Sequence, residues 1–223
     1  QAGRQGRGWS AVHVLMADGA HAWESELNRG IADEVLPGLF LGDHQAARAP
    51  PKYSGVLNAT RTLGFCHDDK VLESARIAVD DKETEDLSAH WETACDFIER
   101  HLPAAGGRGV LVHCASGMSR SAAFVMAFLV ARRGYSLREA YAKTRDARAV
   151  VIPNSGFFGQ LQALEMQVST CESTTMSTFE YNVERLCHPY KAFDRERAIA
   201  ALETHGGDYV QALEALTEER DFA

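Results

Sequence analysis

Several absences narrow the reading of this 223-residue chain. No apolar run reaches the ~18 residues that a membrane-spanning helix needs. Cys66, Cys95, Cys114, Cys171 and Cys187 show no C-x-x-C spacing and no histidine-rich pairing. Neither a zinc site nor a disulfide framework is indicated, and no metal or other cofactor is expected. The net charge of -8 argues against a nucleic-acid partner or a membrane surface. Arg4 and Arg7 sit in the glycine-bearing stretch Gln1–Gly8 and read as solvated cations. Gln1 stands where a starting methionine would, so a trimmed or processed chain is expected. No charged-then-apolar secretory leader follows it.

Hydrophobic content of 45% and charged content of 24% fit an ordinary soluble globular protein. The length allows one sizeable core and a small second unit. Residues 1–33 read as an N-terminal extension, partly flexible, with a short helix at Ala20–Asn28. Stretches 38–41, 55–59, 75–79 and 109–113 read as strands rich in Val, Ile, Leu and Phe. Leu87–Leu102 has an amphipathic helical stripe. Ser121–Arg133 is apolar throughout and stops at Gly134. Ser136 opens a capping box with Glu139, and a further helix runs from about Ser155 to Gln167. Strands alternating with helices predict an α/β fold, with a central, mostly parallel sheet and helices on both faces.

The most informative stretch is His113-Cys114-Ala115-Ser116-Gly117-Met118-Ser119-Arg120-Ser121, between the Gly109–Val112 strand and the apolar helix. A tight loop running into a helix N-terminus favours an anion, and Arg120 adds a planar fork that can hold two phosphate oxygens. Cys114 would lie beneath the phosphorus as a nucleophile. The field that holds the phosphate also favours the thiolate. Ala115, Ser116, Gly117, Met118, Ser119 and Arg120 would line the phosphate site. His113 would order the loop through hydrogen bonds. Ser121 would hydrogen-bond the departing sulfur, cap the next helix, or both. The bland reading, a free cysteine packed in a strand-to-helix turn, explains neither Arg120 nor the small residues between. A catalytic thiol needs reducing surroundings, which points to the cytoplasm or nucleus.

These nine residues resemble the signature of cysteine-dependent protein phosphatases, and the S-R-S-A ending looks most like the dual-specificity branch. Further similar segments follow in family order across residues 34–170. They are Gly38–Gly42, Val56–Ala59, Ile77–Asp81 with Asp86–Trp91, and Pro153–Leu161. One departure is the short, proline-bearing Ala49–Ser54 before the second strand. The resemblance implies hydrolysis of phosphotyrosine and phosphoserine or phosphothreonine in proteins through a phosphocysteine intermediate. It places the general acid at Asp81, with Asp80 as a flanking charge or cap, and ties the closing segment to the loop through Asn154. Arg148 reads equally as a contact for a second anionic group or as a solvated surface cation. The loop interior carries no lysine, unlike phosphoinositide phosphatases. The domain lacks room for the insertion that deepens tyrosine-only pockets, and no carbohydrate module is visible. Two rivals stay open: a catalytically weak phosphoprotein-binding scaffold, and a lipid or RNA phosphatase using the same loop.

Residues 171–177 are polar and read as a linker. Beyond them, helices are predicted at about Thr178–Cys187, Asp194–His205 and Asp208–Glu219, with Asp194 and Asp208 as N-caps. Lys191–Leu202 and Ala212–Leu216 make residues 178–223 similar to a ubiquitin-associated (UBA-like) three-helix module. The resemblance makes ubiquitin a candidate partner. Phe193, Ile199, Leu202, Leu213 and Leu216 would form its core, and a chain cut after Cys171 would stay folded and active. The competing reading is a helical extension packed on the catalytic core.

Overall fold

The structure, a computed structural model, describes residues 30–48, 53–65, 71, 73–102, 107–188 and 191–221. The extension before residue 30, with its expected short helix, and Cys66 lie outside the described residues. Five strands form one mixed sheet: β1 (Ala32–Leu36), β2 (Leu39–Gly42), β3 (Tyr53–Asn58), β4 (Glu73–Arg76) and β5 (Gly109–His113). Their spatial order is β1-β2-β5-β3-β4. β1 and β2 are antiparallel, and the other pairs are parallel. β5 lies in the centre with all five residues buried, as expected of a parallel strand covered on both sides. Gly42, Asn58 and His113 pair in register at the carboxyl ends of β2, β3 and β5, where open α/β sheets place their ligands.

The helices are α1 (Trp91–His101), α2 (Arg120–Arg133), α3 (Leu137–Ala147), α4 (Ser155–Ser169), α5 (Thr178–Leu186), α6 (Arg195–Thr204) and α7 (Tyr209–Asp221). α2 is buried from Ser121 to Val130 and packs against α1, α3, α4 and β5, which explains its lack of a polar face. Leu39, Leu41, Leu57, Val110 and Val112 meet these helices on one face of the sheet. The opposite face carries Tyr53, Val56 and Leu111, covered by Ala46 and Ala47 of a 3-10 turn. This corrects the expectation of helices on both faces: among the described residues, the α-helices that touch the sheet do so from one side. The crossover from β2 to β3 spans only residues 43–52, which is too short for an α-helix with its two turns. A second correction concerns the extension. β1 begins at Ala32, inside the stretch read as residues 1–33, so the last part of that stretch belongs to the sheet.

The tail departs further from expectation. Its helices have the predicted caps: Asp194 accepts from Glu196 N and Arg197 N, and Asp208 from Val210 N and Gln211 N. Val183, Leu186, Phe193, Ala198, Leu202, Ala212 and Leu216 form a small cluster, with Ile199 and Leu213 only partly buried against it. Yet α5 also joins the main core. Tyr181 stacks on Phe158 at 3.6 Å and 4°, and its hydroxyl donates to the Pro153 carbonyl. The stretch read as a linker is anchored as well. Met176 is buried in the main core, and Thr174 and Thr175 donate to buried Glu165. Burial raises the Glu165 pKa, but these hydrogen bonds outweigh it and hold the carboxyl below its ordinary value. The stretch expected to be a linker is therefore anchored, and the first helix of the tail is shared between two apolar clusters.

Candidate active site

β5 delivers His113 and Cys114 to the floor of the loop, and α2 begins at Arg120 on the far side. Cys114 is 1% exposed. The carbonyls of four successive loop residues are each taken by a donor from elsewhere. His44 N donates to Ala115 O at 3.0 Å, and Ile152 N to Met118 O at 3.0 Å. Arg148 serves the two between, through Nη2 to Ser116 O at 2.9 Å and Nε to Gly117 O at 3.0 Å. Gly117 takes φ +71°, and a Cβ there would fall 2.6 Å from the Gly42 carbonyl, so only glycine fits this bend. His113 Nδ1 lies 3.2 Å from the Cys114 carbonyl, in keeping with an ordering role for that buried ring.

Arg148 is neither of the things its sequence context allowed. It is 4% exposed, and its Nη1 meets Asp33 of β1 at 2.7 Å. Because its donors are directed to loop carbonyls and to Asp33, it does not face a second anion. It braces the loop from behind.

Ser121 Oγ donates to Cys114 Sγ at 3.2 Å, and both groups are buried. The N-cap of α2 is Ser119, not Ser121. The Ser119 hydroxyl makes no cap bond; it donates to Asp81 Oδ1 at 2.7 Å and accepts from Asn154 N at 3.1 Å. Asn154 Nδ2 donates to the same Asp81 oxygen at 2.9 Å, while Asn154 Oδ1 caps α4 through Phe157 N. Arg120 Nε stands 3.5 Å from Asp81 Oδ2 and makes no hydrogen bond; its Nη1 reaches the Val79 carbonyl at 3.4 Å. The structure thus brings together Cys114, Ser119, Arg120, Ser121, Asp81 and Asn154. Asp80 faces elsewhere, toward Lys82 at 3.3 Å and Arg61 at 3.4 Å. The Lys82 hydrogen bond, with Arg61 adding, lowers the Asp80 pKa. Cys95 shows what a structural thiol looks like here: burial in the core pushes it up to about 12.

Sequence reasoning missed the clamp on the loop that carries Asp81. A Cβ at Gly156 would lie 1.9 Å from the Glu83 carbonyl, so α4 starts directly against that loop. Ser155 donates to Glu83, and Gln160 accepts from Leu87 N and Ser88 N while donating to Glu85 O. Gly156 was visible in the closing segment, but nothing in the sequence signals what its missing side chain avoids. Among the described residues, no group of three or more His, Cys, Asp or Glu side chains is arranged to hold a metal.

With this geometry in place, comparison with known proteins sets the class. The family model "Dual specificity phosphatase, catalytic domain" matches residues 41–167, more than half of the chain. The class is that of the protein phosphatases, and the chain belongs to the dual specificity phosphatase family. Rat dual specificity protein phosphatase 26 is 40% identical over 146 residues, 61% of this chain and 68% of that protein. Human dual specificity phosphatase 28 is 40% identical over 144 residues, 61% of this chain and 80% of that protein. The crystal structure of human DUSP28 superposes with a TM-score of 0.57 at 36% identity, covering 62% of this chain and 95% of that one.

Proposed function

We propose that this protein phosphatase hydrolyses phosphotyrosine and phosphoserine or phosphothreonine side chains, with Cys114 as nucleophile, Arg120 as phosphate clamp and Asp81 as general acid. The observation that carries the reading is the loop itself. The carbonyls of residues 115–118 are held by donors outside it, and such a loop presents its N–H groups to its own centre. Arg120 Nε, buried and without a hydrogen bond, supplies a further donor at the same place.

In the first step the Cys114 thiolate attacks phosphorus in line. The loop N–H groups and Arg120 stabilise the equatorial oxygens, and the S–P bond forms as the P–O bond to the side chain breaks. Serine and tyrosine oxygens leave poorly without a proton. Two neutral donors hold Asp81 Oδ1, which fixes the carboxyl over the loop and leaves Oδ2 to deliver that proton. In the second step water attacks the phosphocysteine. Asp81, now ionised, takes a proton from the water, and Ser121 Oγ donates to the departing sulfur. Nucleophile, clamp and acid standing together favour this reading over a binding scaffold. The lysine-free loop interior favours a protein substrate over a phosphoinositide headgroup.

For the tail, the UBA-like sequence pattern makes ubiquitin a candidate, but the first tail helix packs into the catalytic core through Tyr181, which stacks on Phe158. That supports a role against the catalytic domain instead. The test of the main proposal is Cys114→Ser. Turnover of an aryl phosphate should vanish while the variant still captures a phosphopeptide, because a serine hydroxyl stays protonated near neutral pH and the loop donors remain. Turnover within about tenfold of wild type would remove Cys114 from the role.

A further inference from the structure

The family match ends at residue 167, yet the cleft beside the candidate acid has a wall built by the tail. This open cleft of about 260 Å³ runs from Asp81, Ser119 and Asn154 to Arg185, Lys191 and Tyr209. The two cations are unusual for their surroundings. After Cys171 the chain carries about twice as many carboxylates as lysines and arginines. Arg195 and Arg197 are tied to Glu184 and Glu219 at 2.6 and 2.7 Å. Arg185 and Lys191 have no carboxylate partner among the described residues, and both line the cleft.

Arg185 is also held in a particular way. Its guanidinium lies over the Tyr209 ring, 3.6 Å from the centroid, and its contact with Asn182 Oδ1 is long, at 3.4 Å. Stacking fixes the head of the side chain and leaves in-plane N–H donors at its rim, the edge that grips a carboxylate or phosphate. His188, also in the wall, is neutral at physiological pH because burial drives its pKa down to about 4. Asp81 supplies the only carboxylate lining this cleft among the described residues. The wall adjoins Asp81 and Ser119, so it is within reach of residues that flank a phosphorylated side chain entering the Cys114 loop on this side.

We propose that Arg185 and Lys191 form a second anion subsite, which takes a carboxylate or phosphate side chain flanking the phosphorylated residue of a protein substrate. The inference rests on the protein-phosphatase reading of the loop and adds to it a selectivity supplied from outside the matched domain.

The test uses the full chain and three phosphotyrosine peptides. Within two residues of the phosphotyrosine these carry only glutamine, a glutamate, or a phosphonate that cannot be hydrolysed. The readout is the ratio of kcat/KM for each anionic peptide to that of the glutamine peptide, measured within one protein. In the wild type at least one ratio should reach about tenfold, expressed in KM, the worth of one or two charge-assisted hydrogen bonds. The glutamate and phosphonate arms separate an acidic flank from a second phosphate as the natural ligand. Arg185→Gln with Lys191→Gln should bring the ratio near one. Lys191→Gln alone, which loses no hydrogen bond or ion pair among the described residues, should lower it severalfold with an unchanged thermal midpoint. A wild-type ratio near one, or a ratio that persists in the variants, overturns the subsite alone. Hydrolysis of aryl phosphate but of none of the phosphopeptides overturns the protein-substrate reading and the subsite with it.

Discussion

Tyr181→Ala tests how far the tail belongs to the catalytic unit. The Tyr181 side chain is 1% exposed, stacks on Phe158, and meets Tyr141 edge-on at a centroid distance of 5.7 Å. Replacing a fully buried aromatic with alanine costs about 3–5 kcal/mol from lost transfer energy and the cavity left behind. For a chain of this size, each kcal/mol shifts the thermal midpoint by about 2–4 °C, so a fall of roughly 6–20 °C is expected. Tyr181→Phe separates the ring from the hydroxyl. It keeps the stack but strips the Pro153 carbonyl of its donor, at about 1–3 kcal/mol. The consequence extends to the chemistry, because Asn154 follows Pro153 and holds Asp81. Tyr181→Ala should therefore slow a poor leaving group more than an activated aryl phosphate. Thermal unfolding followed beside turnover of both substrate types measures the two effects. A Tyr181→Ala protein with a midpoint within about 2 °C of wild type and unchanged turnover would refute the shared core and restore the tail as an independent module.

Asp81→Asn should reduce turnover of a phosphopeptide by about two to four orders of magnitude, the usual worth of a general acid, and affect an activated aryl phosphate far less. Asp80→Asn should matter little for either, and the reverse ranking would reassign the acid. Arg148→Met should cost about 3–5 kcal/mol in chemical denaturation, because it leaves Asp33 unpaired and frees two loop carbonyls; a loss below about 1 kcal/mol would show that the loop needs no brace. Burial first, with Arg145 adding, depresses His188 from 6.5 to about 4. The unfolded chain therefore takes up this proton first, and roughly 3 kcal/mol of stability should drain away as pH falls from about 6.5 to about 4. Denaturation across that window should show the slope flattened in His188→Gln, and an unaltered slope would exclude His188 as its source.

The phosphate loop was legible because its information is local. Cys114, Gly117, Arg120 and Ser121 lie within eight consecutive residues, between a buried strand and the start of a largely buried helix. The choice of Asp81 over Asp80 came from family order, and the structure turns the two carboxyls to opposite partners. What stayed hidden depends on long-range contacts. β1 reads Ala-Asp-Glu-Val-Leu, and only Val35 of it is buried, so an edge strand carried almost no apolar signal. Arg148 sits in a polar stretch, and its brace became visible only once the fold brought Asp33 and residues 116–117 beside it. The tail misled for a related reason. An amphipathic helix shows that it has an apolar face, not which neighbour covers it, and α5 divides that face between two clusters.

That division bears on function through residues 153 and 154. The tail grips the Pro153 carbonyl through Tyr181, and the next side chain, Asn154, grips the candidate acid. Ser119 closes the circuit by bonding both Asp81 and the Asn154 amide from the phosphate loop. Loop, acid and tail therefore meet at one short segment. A contact that shifted α5 would strain the hydrogen bonds that set the Asp81 carboxyl, while the carbonyls of residues 115–117, next to Cys114, keep their braces from His44 and Arg148. Loosening the tail should thus first weaken proton delivery and only later phosphate capture, a loss of kcat on poor leaving groups ahead of any rise in KM for an aryl phosphate.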